Sequence, residues 1–504
     1  MTALNASRAS GARQKPLAAL IASIFGLASP MAAMAETWTV DSCSDAVAGS
    51  IPAKAGTLRF TIANAADNDT IDLSALFCPT GKISIATGEI FVTQPNLTII
   101  GPGEANLDID GTNLPSGATF QYNSRVFSHT GTGLLTLEQL TISGGHVYHT
   151  GPGAEYASKG GCVYSAGSVT LIHSTVTACS TFAGGSSTSG GGVYTLGQLR
   201  LKYSTLSGNT ASGSTGGRGG GGFGGTGVAA KYSTVDNNSI TGPSGVTLQS
   251  YKYTIGGGLS SKGPVALQRS TISNNYSSGS FGGIDAFGTV SSAPTNTMAI
   301  YSSTISGNRA GKIVGGVYTN AATVKIYNST IAFNTAGVGK FGDPANFFAP
   351  GLALSGEFTD MAVTLQGSLL SNNTYGSSSE LDMTVALNGV NDVTFNASPG
   401  NNLIRTRLAS GVPADTIPFQ CPLLGPLQDN GGLTKTHALF SKSPAIDVGN
   451  NVKDQTEDQR RSPGDADPFP YPRVSNGVAD IGAYEVNQDD IIFNVSFEAC
   501  PDLS

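Results

Sequence analysis

Two stretches of the chain, LRLKYSTLSGNTA at 199–211 and VKIYNSTIAFNTA at 324–336, set basic and aromatic side chains at the same distances from a repeated Ser-Thr-apolar triplet. Counting back from the first residue of that triplet, positions four and two before it hold Arg200, Lys202, Lys231, Tyr301, Lys325 and Tyr327. The position directly before it holds His173, Tyr203, Tyr232 and Arg269. Ammonium and guanidinium groups in such rows attract the carboxylates of an acidic polymer. Given the right geometry, the same groups with a Tyr or His can remove the proton beside a uronate carboxylate and stabilise the charge that develops. An ordinary solvated face would carry residues of the same types.

Other chemistries find little support. Glycoside hydrolysis needs two carboxyl groups across the scissile bond, and a calcium-dependent lyase needs several to hold its ion. Residues 160–340 contain only Asp236 and Asp285, which occupy different places in the repeat. No Gly-x-Ser-x-Gly elbow or His-Glu-x-x-His pair occurs. The run GGRGGGGFGGTG at 216–227 matches a nucleotide-binding glycine pattern by glycine content alone and reads as a loop between repeats. His146 and His149 flank Tyr148 in what reads as another loop. No metal and no cofactor is expected.

The elements that must position the basic and aromatic rows come from the repeat itself. Eight lines align on Leu140, Ser174, Ser204, Ser233, Ser270, Ser303, Ser329 and Ser368. In each, apolar residues stand five and three before the anchor and two after it, as in Leu199, Leu201 and Leu206, with mostly polar residues between, so each line contains strands with one face buried. Five after the anchor, six lines carry Asn209, Asn238, Asn275, Asn308, Asn334 and Asn373, suited to a turn and to an amide ladder between stacked copies. Gly145 and Cys179 take that place in the first two lines. A Gly pair before an apolar residue announces a further strand upstream of most lines, as in GGVYT at 191–195 and 315–319. Such a unit cannot bury its apolar face alone, and stacking the units in parallel about 4.8 Å apart gives a β-solenoid.

Charge and cysteines set the context. Arg8, Arg13 and Lys15, the apolar stretch 17–28 and Ala33-Met34-Ala35 read as an export leader over 1–35, and no later stretch is apolar for long enough to span a bilayer as a helix. Without those three cations the 27 Lys and Arg fall to 24, against 34 Asp and Glu. Yet residues 160–340 carry eleven cations against two carboxylates, which predicts an electropositive stretch in an acidic protein. Six cysteines in an exported chain favour three disulfides. Fifteen connectivities are open, of which the pairing of neighbours is Cys43–Cys78, Cys162–Cys179 and Cys421–Cys500.

The Gly-Gly-apolar strands and Ser-Thr lines resemble right-handed parallel β-helix repeats of the pectin-lyase-like class, especially bacterial surface proteins similar to polymorphic outer-membrane proteins. The opening residues GTLRFTIANAADNDTIDLS (56–74), LTIIGPG (97–103) and SRVF (124–127) resemble the first coils of such proteins. PLLGPLQDNGGLTKTHALFSKSPAIDVGN (422–450), DQRR (458–461) and DIGAYE (480–485) resemble their choice-of-anchor Q module. The resulting expectation is an all-β, right-handed parallel β-helix with an N-terminal cap and first coils over 36–130, repeats over 131–400, and the C-terminal module and tail over 401–504. It would be secreted or held on the outer surface of a bacterium. Its expected partner is an extracellular polysaccharide, anionic by preference, or a cell-surface component, and not nucleic acid. The candidate binding strip is Arg200, Lys202, Lys231, Arg269, Tyr301, Lys325 and Tyr327. The alternative is a metal-independent lyase that cleaves a uronate polymer by β-elimination.

Overall fold

The computed structural model describes residues 35–45, 55–113, 123–149, 158–242, 254–288, 296–337, 348–376, 379–386, 391–397, 399–461, 471–487 and 500. The expected leader therefore lies almost wholly outside the described residues. Residues 36–504 form one compact unit.

The chain winds through four short strands per coil. In one coil these are Val193–Thr195, Gln198–Lys202, Thr205–Ser207 and Thr210–Gly213. Each pairs with the equivalent strand of the next coil, building four long sheets, numbered here 1 to 4 in that order, of 11, 12, 11 and 10 strands among the described residues. Apart from the two ends of sheet 4, where Asn123–Ser124 and Ser379–Glu380 pair antiparallel, pairing is parallel and in register along the stack: Leu199 faces Val228, Arg200 faces Ala229, Leu201 faces Ala230 and Lys202 faces Lys231. The expected parallel β-helix is thus what the chain forms. One departure lies in the opening residues, where Leu58–Asn64 is a helix capped by the Thr57 side chain; it buries Leu58, Thr61 and Ile62.

Alternation explains the core. Leu199 and Leu201 point inward with Val169, Leu171, Val228 and Ala230, and Leu206 joins Val176 and Val235 on sheet 3, all at most 2% exposed. A tube of purely apolar residues would tolerate slippage by a coil or a residue, so the polar interior rows carry the specificity.

The anchor serines form the first such row. The backbone N–H of Ser174, Ser204, Ser233, Ser270, Ser303 and Ser329 donates to Oγ of the anchor serine one coil on, at 3.1–3.3 Å. Each hydroxyl in turn donates within its own coil, as Ser204 Oγ does to Lys202 O at 2.9 Å. The row ends when Ser368 N–H donates to Asn402 Oδ1.

The expected amide ladder is the second. Asn209 donates from its backbone N–H and from Nδ2 to Asn238 Oδ1, at 3.0 and 2.9 Å, and from Nδ2 to Val176 O behind it. The pattern repeats through Asn275, Asn308, Asn334 and Asn373. Asp382 ends it, accepting from Asn373 on one oxygen and from Thr406 N–H and Oγ1 on the other. These asparagines do not themselves take the left-handed conformation. The residue before each does, at Gly208, Asn237, Asn274, Gly307, Phe333 and Asn372, with φ from +53° to +68°.

The Gly pairs are the complement of this ladder. A Cβ on Gly192, Gly221, Gly258, Gly283, Gly316 or Gly351 would stand 2.8–3.1 Å from the amide of the ladder asparagine of its own coil. The register aligns Val126, Cys162 and Gly192 on sheet 1, and Gly145, Cys179 and Asn209 where sheet 3 gives way to sheet 4. The same facing pair is therefore Val126 with Gly145 in one coil, the Cys162–Cys179 disulfide in the next, and glycine with asparagine thereafter. Cys43–Cys78 and Cys421–Cys500 also pair as neighbours.

Two expected loops are strands. Within 216–227, Gly217–Arg218 and Gly222–Gly224 pair into the stack, because a Cβ on Gly220 or Gly221 would meet carbonyl oxygens of the adjacent coil at 2.3 and 2.7 Å. His146–His149 is a strand of sheet 4, paired with Ser180–Ala183.

The chain does not stay in coils to its end. After Leu403–Ile404 and Arg407–Leu408 it leaves the stack, forms the hairpin Leu424–Gln428 with Thr436–Leu439, and runs back along the outside of sheet 3. Gln459 donates to Thr271 Oγ1 and accepts from Thr304 Oγ1, Asn328 Nδ2 donates to Asn450 O, and Ala483 N–H donates to Thr330 Oγ1. Inside this segment Arg460 pairs with Asp458 at 2.9 Å and lies between the rings of Tyr471 and Tyr484, all but Tyr471 buried. Asp480 and Glu485 accept from surrounding backbone N–H groups. The motifs DQRR and DIGAYE are thus a buried framework that braces the segment and docks it.

The glycine column gives a direct test. In Gly258→Ala the new Cβ would stand 2.7 Å from Gly283 O and 2.9 Å from the Asn275 amide. Overpacking of this kind costs about 1–3 kcal/mol. Denaturant titration should show that loss for Gly258→Ala and little change for Gly425→Ala, whose Cβ meets nothing nearer than 3.5 Å.

Candidate functional site

Where each coil passes from sheet 2 to sheet 3, one residue takes the left-handed conformation and turns its side chain outward. These are Gln139, His173, Tyr203, Tyr232, Arg269, Ser302 and Asn328, with φ between +43° and +55°. Bulky residues seldom adopt such angles. Here they stack on their counterparts one coil away. The rings of His173 and Tyr203 lie 4.6 Å apart at 9°, and those of Tyr203 and Tyr232 5.0 Å apart at 7°. Their faces are covered by one another, so the outside meets the ring edges and polar tips of His173 and Tyr203, while Tyr232 is buried.

Lys202 and Lys231 flank this row from the end of sheet 2, directly opposed in register, and each ammonium lies over the ring that follows it, at 5.6 and 5.4 Å. Arg200 is exposed on the same face. Beside the rings is a cleft of about 180 Å³ lined by Glu104, His173, Tyr203, Tyr232 and Leu433. Glu104 is held by Thr175, whose hydroxyl donates to its Oε2 at 2.8 Å. Burial, and then the neighbouring Tyr232, raise the Tyr203 phenol above its ordinary range, so it remains a hydrogen-bond donor at any physiological pH. The cleft draws on an N-terminal loop, three middle coils and the C-terminal segment.

The expected strip is thereby divided. Arg200, Lys202, Lys231 and Lys325 are exposed, as alternation required. Arg269 is not available to a ligand: it is 7% exposed, its Nε and Nη2 donate to Asp458 O and Glu457 O, and its Nη1 donates to Tyr232 Oη. Tyr327 is 6% exposed and Tyr301 half-buried. They do face one another in register, with rings 5.1 Å apart. The C-terminal segment explains the loss, because it crosses the corner from Arg269 onward and bonds to Ser302 and Asn328, the residues after the two tyrosines. Burial, and then Tyr327, raise the Tyr301 phenol, which keeps it protonated at physiological pH. Lys325 stands four coils from Arg200 along sheet 2, with Ala229, Ala266 and Ala299 between.

The electropositive middle is correspondingly smaller than composition implied. Arg218 pairs with Asp285, which is wholly buried on sheet 1, and the acidic C-terminal segment runs along sheet 3. Asp236, on sheet 3, lies near Lys435 of that segment, so the two carboxylates sit on different sheets. Among the described residues no three His, Cys, Asp or Glu side chains gather to hold a metal. Glu104 and Leu433 were not foreseen, since neither belongs to a repeat and only the folded chain brings them to the rings.

No protein-family model matches the sequence, and no curated protein matches it. Among solved structures, that of pectate lyase Pel9A is similar with a TM-score of 0.44 and 13% identity, over 90% of this chain and 96% of that one.

His437, in the hairpin strand that follows Leu433, supplies a pH test of how the cleft wall is held. Its Nδ1–H donates to Gly425 O at 2.6 Å and its Nε2 accepts from Ser306 Oγ at 2.7 Å, so the folded chain holds it neutral. Burial outweighs the Gly425 bond and pushes the imidazole from 6.5 down to about 4. The unfolded chain therefore takes up a proton below pH 6.5 that the folded chain refuses until about pH 4. The contribution, about 3 kcal/mol by linkage, is complete above pH 6.5 and lost as the pH falls towards 4. Unfolding titrations across this range should show a steeper acid loss for the wild type than for His437→Gln.

Proposed function

We propose that this protein is an exported bacterial rod, secreted or held at the cell surface, that binds an anionic extracellular polysaccharide along the corner of its second and third sheets. The observation that carries the reading is the alignment of Lys202 with Lys231 beside the stacked His173, Tyr203 and Tyr232. The ammonium groups would pair with sugar carboxylates, while the Tyr203 phenol and the edge of the His173 imidazole bond to sugar hydroxyls. A linear polymer lying along this corner meets the two lysines on successive coils, about 4.8 Å apart. Arg200 widens the cationic patch, and Lys325 offers a separate contact further along.

On this reading residues 1–35 are the export leader, 36–130 the cap and first coils, 131–400 the repeats, and 401–504 a choice-of-anchor Q-like module and tail. The module serves as a side wall for the cleft as well as whatever attachment it provides. Binding needs no cofactor, and the partner is a glycan or glycan-bearing surface rather than nucleic acid.

The test compares wild type with Lys202→Ala/Lys231→Ala on alginate, polygalacturonate and a neutral glucan. Affinity for the two acidic polymers should fall about tenfold in the variant, within the range open to two exposed charges. It should also weaken with salt, as the Debye length contracts from about 8 Å at physiological ionic strength. Thermal stability should be nearly unchanged. Equal affinity for all three polymers, or indifference to salt and substitution, would overturn the proposal, and the appearance of ultraviolet-absorbing unsaturated products would replace it with a lyase.

A further inference from the structure

The row that contains the two lysines reverses its charge along the rod. Reading one coil at a time in register, sheet 2 presents Glu138, Ile172, Lys202, Lys231 and Gln268 at the same outward position. Only two successive coils carry a cation there. On the N-terminal side Glu104 closes the cleft beside His173, fixed by its bond from Thr175, and Glu138 stands two coils from Lys202. On the C-terminal side Arg269 is consumed by the backbone of the C-terminal segment, and Gln268 is neutral. The surface is a short positive patch with an acidic border rather than a continuous basic track.

A homopolyuronate laid along this corner would place carboxylates against Lys231 and Lys202, and the next one against Glu104. Like charges at that position cost affinity, and the remaining lone pairs of the Glu104 carboxylate favour a hydroxyl donor instead. We infer that the site, if it binds glycan as proposed above, selects a heteroglycan in which two successive acidic sugars are followed, on the Glu104 side, by an uncharged sugar whose hydroxyls donate to that carboxylate. Glu104 is on this account a specificity residue that excludes a third acid.

Galacturonate oligomers of two, three and four residues, titrated against the full chain, separate the alternatives. The wild type should bind the two-residue oligomer and gain nothing, or lose affinity, on addition of the third. In Glu104→Gln, which keeps an acceptor for Thr175, the third residue should raise affinity about threefold to fivefold, the scale of one exposed charge contact. The readout is the ratio of three-residue to two-residue affinity in each protein, and the melting temperature should hold. An affinity that climbs with each added residue alike in wild type and variant overturns the selectivity while leaving glycan binding intact. If no oligomer and no acidic polymer binds the wild type, the binding reading and this inference fall together.

Discussion

An asparagine amide facing a glycine across the interior of a coil is the contact on which the rest of the molecule depends. The amide gives both of its donors and its acceptor to neighbouring coils, and it fits only because the opposite wall has no Cβ. A buried polar group left unpaired is costly, so every asparagine must find its counterpart one coil away and nowhere else. The apolar rows supply most of the burial but would accept sliding. The polar row does not, and the Cys162–Cys179 bridge fills the same pair of positions covalently where the ladder begins.

Register in the interior becomes order on the surface. Because Leu199 and Val228 face one another inside, Lys202 and Lys231 face one another outside, and the left-handed residue after each throws a ring into a common stack. The rings and cations therefore need no mutual attraction to be aligned. Their placement follows from the core, and the C-terminal segment then decides which coils remain open by covering the corner from Arg269 onward.

The solenoid was legible because its signals repeat: inward Leu, Ile and Val at fixed offsets, and Asn at a fixed distance beyond the serine. The outward direction of Arg200, Lys202 and Lys231 followed from the same alternation, and the structure keeps it. What could not be read was any contact made across the repeat. Arg269 occupies the same offset as Tyr232 and looked equally available, yet its guanidinium is taken by carbonyls nearly two hundred positions away. Glycine content made 216–227 look like a loop, when the glycines are the signature of coils packed too closely for side chains. Glu104 gave no signal at all, since a single carboxylate in a loop has no period.

The central claim is that interior register places exposed side chains in straight rows, one coil apart. Spin labels at positions 200 and 325 of the full chain test it most directly, because the two lie on one row of sheet 2, four coils apart. At about 4.8 Å per coil the account predicts a single narrow distance distribution centred on about 19 Å. A broad distribution, or a mean displaced by a coil or more, would contradict it.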